Sequence, residues 1–375
     1  WSLINADQKG YVLAKYNLIF NILTTVSKII VLVVTNNYIL FLLIEIAIFV
    51  IQNLWNGKVV NERYPYIKTK KKYTIDKEIK SNLITNVKAL FLHNIGSYCV
   101  LGTDNILIST FISVKAVGLY SNYTMIIGQL SSLLNPIVGG IGASVGNLIA
   151  TENKEKNYEI FNVTYLINFW IYGVCVIFLY NLLEPFINWW LGNDLLLDKL
   201  TFIIILINFY LSGMRNSIIT FKSKAGIFTN DKYVPIIESI INLGSSIILV
   251  KYFGLSGILM GTTISTIVLP LWVQAKLVYN KIFNKSVSEY FKKYFLYLGI
   301  TIGAGIITTA LCNMIFINGF IGLIIKGIIC VVVPNIILIL IFYRSTELRY
   351  IKNILNGYIK KNNIFGNIKR ADEAL

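Results

Sequence analysis

Ionisable side chains stand inside long apolar stretches of this 375-residue chain, where charge is hardest to accommodate. Lys28 lies in TTVSKIIVLVV, Glu45 in YILFLLIEIAIFVIQNLW, Asp104 in TDNILISTFI, Arg215 in GMRNSIITFKSKAG and Glu238 in YVPIIESIINLGSSIILV. A charge near the middle of a bilayer costs ~3 kcal/mol on insertion scales, so such residues face a hydrated pathway or pair with a neighbouring helix. Both readings stand for Asp104, Glu45 and Glu238. Lys28 and Lys326 have a third, since a long lysine stem can reach back to the headgroups. Arg215 has the planar guanidinium that suits bidentate phosphate contact, and it could equally mark the membrane interface. The stretch around Asp104 also holds His93, Asn94, Ser97, Thr103 and Asn105. At helical spacing His93, Ser97 and Asp104 share one face, with Phe91, Ile95, Tyr98 and Ile106 opposite and Val100 interrupting the polar side.

Other chemistry is poorly represented. The four cysteines, Cys99, Cys175, Cys312 and Cys330, all fall in apolar stretches without CxxC spacing, and there is one histidine. Neither a zinc site nor a redox pair is expected, and the thiols read as small buried apolar groups. No cofactor or metal is implied. VGGIGASVGNL lacks the Lys-Ser/Thr of a phosphate-binding loop. No extramembrane segment carries a catalytic constellation, so no enzyme is expected.

The elements that must position these residues are long helices. Hydrophobic residues make up 55% of the chain, in runs near 11–34, 38–55, 83–113, 117–149, 158–181, 199–220, 233–252, 255–283, 290–315 and 319–343. About 20 apolar residues cross a bilayer as a helix, and these runs lack the alternation of barrel strands. The expected fold is therefore an all-α integral membrane protein with about ten transmembrane helices. Most of the 34 Lys and Arg fall in every second gap, which places both ends of this chain in the cytoplasm. That distribution accounts for the net charge of +16 without nucleic acid. The run Lys68–Lys72 suits anionic headgroups or a solvated loop. Gly142/Gly146, Gly257/Gly261 and Gly299/Gly303 have the spacing of close helix contacts. Pro136 and Pro270 should kink their helices. Leu348, Ile351, Ile354 and Leu355 form the apolar side of a short helix expected on the inner leaflet.

Several segments together resemble the bacterial polysaccharide flippases, the Wzx-type O-antigen and capsule transporters. These belong to a superfamily with the MATE multidrug exporters and the lipid II flippases. The segments are SLINADQKGYV, TDNILISTFISVKAVGLYSNY, GGIGASVGNL, PFINWWLGNDLLL and, most specifically, residues 224–266. They cover residues 1 to about 280. The resemblance implies a MATE-like two-lobe bundle with the first lobe truncated. Residues 1–55 would be the last two helices of that lobe and 56–82 a basic inter-lobe loop. Residues 83–283 would be the six-helix second lobe, 284–343 two additional helices, and 344–375 a cytoplasmic helix and tail. About four N-terminal helices of the family pattern are missing from the sequence.

The function the resemblance implies is movement of a polyprenyl-pyrophosphate-linked oligosaccharide from the inner to the outer leaflet of the bacterial cytoplasmic membrane by alternating access. Arg215, Lys28, Asn105 and His93 would meet the substrate. Asp104, Glu238 and Glu45 would couple ions or form structural pairs. A polysaccharide polymerase and a chain-length regulator would be protein partners. A cation-coupled drug antiporter of the same fold, a membrane enzyme of glycan assembly and a non-transporting scaffold are the alternatives.

Overall fold

The computed structural model describes residues 3–4, 7, 9, 11–69, 74–317 and 319–353, excepting the side chains of residues 11, 68, 101 and 135–144. Helices dominate, with no strand among the described residues. They are α1 (Tyr11–Thr35), α2 (Tyr38–Arg63), α3 (Lys77–Phe111), α4 (Val114–Thr151), α5 (Lys154–Leu191), α6 (Lys199–Lys224), α7 (Val234–Phe253), α8 (Leu255–Val268), α9 (Pro270–Val278), α10 (Ser288–Asn313) and α11 (Gly319–Phe342). Eight helical segments among the described residues are long and apolar enough to cross a membrane. The protein is thus an all-α, multi-pass membrane protein. The two expected spans outside that set are α3 and α4. They are continuous helices of 35 and 38 residues. The polar groups around Asp104 dilute α3, and part of α4 lies outside the described side chains.

Short capped turns reverse the chain. Asn37 accepts from the amides of Ile39 and Leu40 at 2.9 and 3.2 Å to start α2. Ser113, Asn153 and Asp198 cap α4, α5 and α6 in the same way. A single residue, Gly254, separates α7 from α8, and its φ of 56° is open to glycine at little cost. Pro270 divides the expected 255–283 span into α8 and α9, followed by a π turn at Tyr279–Phe283. Pro136 and Gly142 fall among the undescribed side chains.

Two further expectations are corrected. The basic loop at 56–82 is largely helical, because α2 continues to Arg63 and α3 starts at Lys77. A helix that leaves the lipid keeps its backbone bonds, so it need not stop where its apolar residues do. Residues Lys70–Lys72 of the basic run lie outside the described residues. The helix at 346–353 is docked on protein, with Leu348 only 9% exposed inside a core cluster that includes Phe342. Ile354 and Leu355 lie outside the described residues.

The chain forms two compact units, Trp1–Lys77 and Glu78–Leu375. The first is the α1–α2 hairpin. Asn17 accepts from Gln52 at 2.9 Å and from Asn56 at 3.0 Å across it. Interhelical amide bonds of this kind hold helices together where lipid provides no hydrophobic drive.

In the second unit an aromatic core joins α5, α6, α10 and the π turn. Phe169 stacks on Tyr297 with 4.2 Å between centroids, and Phe161 packs against Phe221, Tyr279 and Phe283. Outward-facing residues such as Ile324, Ile328, Val331 and Ile339 of α11 are exposed and apolar, as a lipid-facing surface requires.

The glycine expectation holds at one position pair and fails at another. A Cβ on Gly261 would collide with Ser246 of α7, and one on Gly257 with the Leu249 carbonyl. Gly299 and Gly303 have open space around them, so their spacing reflects no close contact.

Candidate functional site

The intramembrane charges that the sequence presents singly are joined in space. In the first unit Lys28 Nζ lies 2.7 Å from Glu45 Oε2 and 4.2 Å from the centre of the Phe41 ring. Asn21, Thr24 and Thr25 line the same pocket of about 370 Å³. Lys28 therefore has a counter-ion one helix away and does not rely on the headgroups. A salt bridge between α1 and α2 also gives Glu45 its partner.

In the second unit Arg215 of α6 faces α7 and α9. Its Nη2 donates to Gln274 Oε1 at 3.0 Å. Its Nη1 lies 3.9 Å from Glu238 Oε1, and both side chains are 13% exposed. Thr266 Oγ1 donates to Glu238 Oε1 at 3.5 Å, a long bond. The guanidinium Nε is buried without a hydrogen-bond partner among the described residues. Arg215 and Lys28, expected to meet an anionic group, are thus already matched by the two carboxylates expected to couple ions.

Asp104 is the exception. The face it shares with His93 packs against α7 and α8. Gly96 meets Pro235 so closely that an added Cβ would lie 2.5 Å from the Pro235 backbone. Thr103 Oγ1 donates to Asn242 Oδ1 at 3.3 Å, Asn242 donates to Thr262 Oγ1 at 2.9 Å, and Thr262 donates to Asp104 Oδ2 at 3.4 Å. Asp104 is 8% exposed, and its Oδ1 has no hydrogen-bond partner among the described residues. A buried carboxylate normally requires a partner charge or several hydrogen bonds. Here, among the described residues, Thr262 alone donates to the acid, at the end of a hydrogen-bond chain that runs from Thr103 through Asn242 across three helices.

His93 is placed apart from Asp104. Its Nε2 lies 3.2 Å from the Phe228 carbonyl oxygen and 3.2 Å from Asp231 Oδ1, both acceptors, so that nitrogen carries the proton. Asp231 sits in the loop before α7 and also bonds Lys222. Burial pushes the Asp231 carboxyl up, and the bonds from His93 and Lys222 outweigh it and hold it below the ordinary carboxylate range. The assembly ties α3 to the loop before α7. Asn105 is exposed and joins none of these groups.

The structure also brings forward residues that the sequence reading passed over. Tyr290, Tyr294, Tyr297 and Thr301 recur at helical spacing along α10, and all four are buried. That stripe was legible, but an aromatic stripe at this spacing reads first as core. Beside it runs an apolar trench of about 880 Å³ between α5, α6, α8, α9 and α10. On α10 its wall extends from Phe291 to Asn313. At the helical rise that is about 33 Å, the thickness of the hydrocarbon core. Its rim, including Phe295, Ile302 and Ile306, is exposed to the lipid side.

Among the described residues no cluster of His, Cys, Asp and Glu could hold a metal ion. Cys312 and Cys330, unpaired by sequence spacing, lie side by side with 3.6 Å between their sulfurs. No protein-family model, curated protein or solved structure matches the chain.

Proposed function

We propose that this protein belongs to the polysaccharide flippases and moves a polyprenyl-pyrophosphate-linked oligosaccharide between leaflets of the bacterial cytoplasmic membrane. The observation that carries the reading is the coexistence, in one helical unit, of a lipid-open trench as deep as the bilayer and buried charged groups beside it. An amphiphile with a long apolar tail and a polar head needs both. The tail would stay in the trench, in contact with lipid, while the head crosses on the polar side of the bundle. Arg215, released from its 3.9 Å pairing with Glu238, would meet the pyrophosphate bidentately. Lys28 would have to give up Glu45 to do the same, which makes it the weaker candidate. Positive residues at alternate helix ends support a cytoplasmic assignment for that side. Substrate is moved and not transformed, with alternating access between helical lobes.

A second reading is favoured by Asp104. A carboxyl with an unpartnered oxygen among Asn242, Thr103 and Thr262 suits cation coupling, and a cation-coupled antiporter would use the same feature.

Deletion of the gene tests the first reading. Lipid-linked repeat units should accumulate in the inner leaflet and surface polysaccharide should be lost, with restoration on complementation. Normal surface polysaccharide, in a strain lacking any second flippase gene, rejects it.

A further inference from the structure

Cys312 of α10 and Cys330 of α11 hold their sulfurs 3.6 Å apart. Cys312 is 2% exposed and Cys330 is fully buried. A gap of 18 residues carries no sequence signature of a pair, so only the packing of α10 on α11 brings the thiols together. Neither Cys99, which is exposed, nor Cys175, which is half-buried, has another cysteine beside it among the described residues.

The pocket around the two sulfurs is apolar, closed by Leu182 and Phe178 of α5 and by Leu323 and Ile329 of α11. Two polar groups of Lys326 reach into it. The Cys312 thiol points at the Lys326 carbonyl oxygen, 3.9 Å away, a long contact for a weak donor. The Lys326 ammonium, one turn before Cys330 on α11, is within electrostatic reach of that sulfur.

We propose that Cys312 and Cys330 are a redox-active pair that closes to a disulfide, a covalent staple between α10 and α11. The sulfurs must approach by about 1.6 Å to reach bonding distance. Cys312 is the next-to-last residue of α10, in the turn where a helix frays first. Opening that turn uncovers the sulfurs to a small disulfide, which is the oxidant. One cysteine thiolate attacks a sulfur of that disulfide, forms a mixed disulfide and expels one thiolate. The second cysteine thiolate attacks its neighbour's sulfur, closes the internal bond and expels the other. Two electrons pass to the oxidant, and the two cysteine protons end on its two released sulfurs. The Lys326 ammonium stabilises the thiolate charge that forms on the way. Once the turn repacks, the apolar side chains shield the bond from reductants.

Lys292 and Lys293 mark the other end of α10, and Lys293 is about 28 Å from Cys312 at the helical rise. With basic ends in the cytoplasm, the pair lies in the outer half of the bundle, toward the side where disulfides persist. Asn313, next to Cys312, ends the α10 wall of the trench, so the staple fixes that end of the wall to α11. The pairing does not depend on what the trench carries.

The test uses the purified detergent-solubilised protein, first reduced, then freed of reductant and incubated with oxidised glutathione. The protein is denatured in N-ethylmaleimide, and its mass and peptides are read. Wild type should lose two of its four alkylated thiols without gaining glutathione at either, and the peptides holding Cys312 and Cys330 should be joined. Its melting temperature should rise by roughly 5 °C, and reductant added after unfolding should return all four thiols. Cys312→Ser and Cys330→Ser should form no internal bond and show no rise. Cys99→Ser/Cys175→Ser, which keeps the pair, should still form the bond and carries the test if a single variant does not fold. Four free thiols in oxidised wild type, glutathione retained on Cys312 or Cys330 in place of an internal bond, or a bond that involves Cys99 or Cys175 overturns the proposal.

Discussion

Arg215 Nη1 and Glu238 Oε1 stand 3.9 Å apart between α6 and α7, near enough to compensate charge and too far for a hydrogen bond. Among the described residues the close bond of Arg215 goes to the neutral amide of Gln274, at 3.0 Å. The pair is thus charge-compensated without a direct hydrogen bond between its members.

Removing one member should therefore be costlier than removing both. Arg215→Met leaves Glu238 buried with little compensation and should cost about 3 kcal/mol. The double variant Arg215→Met/Glu238→Leu should recover most of that loss. Unfolding in detergent, read by tryptophan fluorescence, measures it. Equal or additive losses would show that the pair is not coupled.

Lys28 and Glu45 offer a test in the first unit. Either charge alone within α1 or α2 should lower the amount of protein inserted, by roughly the ~3 kcal/mol of an unpaired intramembrane charge at most. Glu45 is 47% exposed, so the effect falls short of that limit. Exchange of the two, Lys28→Glu with Glu45→Lys, should restore membrane levels above either single variant. Levels no better than the singles would contradict the pairing.

The glycines separate close packing from mere spacing. Gly96→Ala places a methyl 2.5 Å from Pro235 backbone and should destabilise by about 1–3 kcal/mol. Gly299→Ala meets nothing within 4 Å, gains helix propensity and should be neutral or stabilising by up to ~1 kcal/mol. Melting temperatures of the two variants decide it, and a reversed order would remove the α3–α7 contact from the account.

Acid should loosen the loop before α7. Asp231 is held below its ordinary value of 3.8 by His93 and Lys222 in spite of burial. A carboxyl depressed in the folded state contributes stability that is complete above the unfolded value and disappears as pH falls through the folded one. Stability of the wild type should thus drop below about pH 4 more steeply than that of Asp231→Asn. Parallel acid profiles would show that Asp231 carries no such linkage.

How much of this was legible in the sequence depends on the range of the interaction. Helices and their order follow from local apolar runs, and the observed helices lie close to all ten expected. Partners do not follow, because Lys28 and Glu45 sit on separate helices and Arg215 meets residues from two others. Equal spacing also misleads. Gly257/Gly261 and Gly299/Gly303 read alike, yet only the first pair touches backbone. The shared face of His93 and Asp104 was visible as a helical stripe, but their different neighbours were not. His93 meets the Phe228–Asp231 loop, and Asp104 meets Thr262 a helix away.

The central claim, movement of a lipid-linked sugar, is tested most directly in proteoliposomes. A fluorescent polyprenyl-pyrophosphate oligosaccharide is placed in both leaflets, and a membrane-impermeant reductant bleaches the outer one. The expected result is complete bleaching with the protein present and about half with empty vesicles or an Arg215→Ala variant. Wild-type vesicles that retain the protected half, with the protein shown to be folded and inserted, would contradict it.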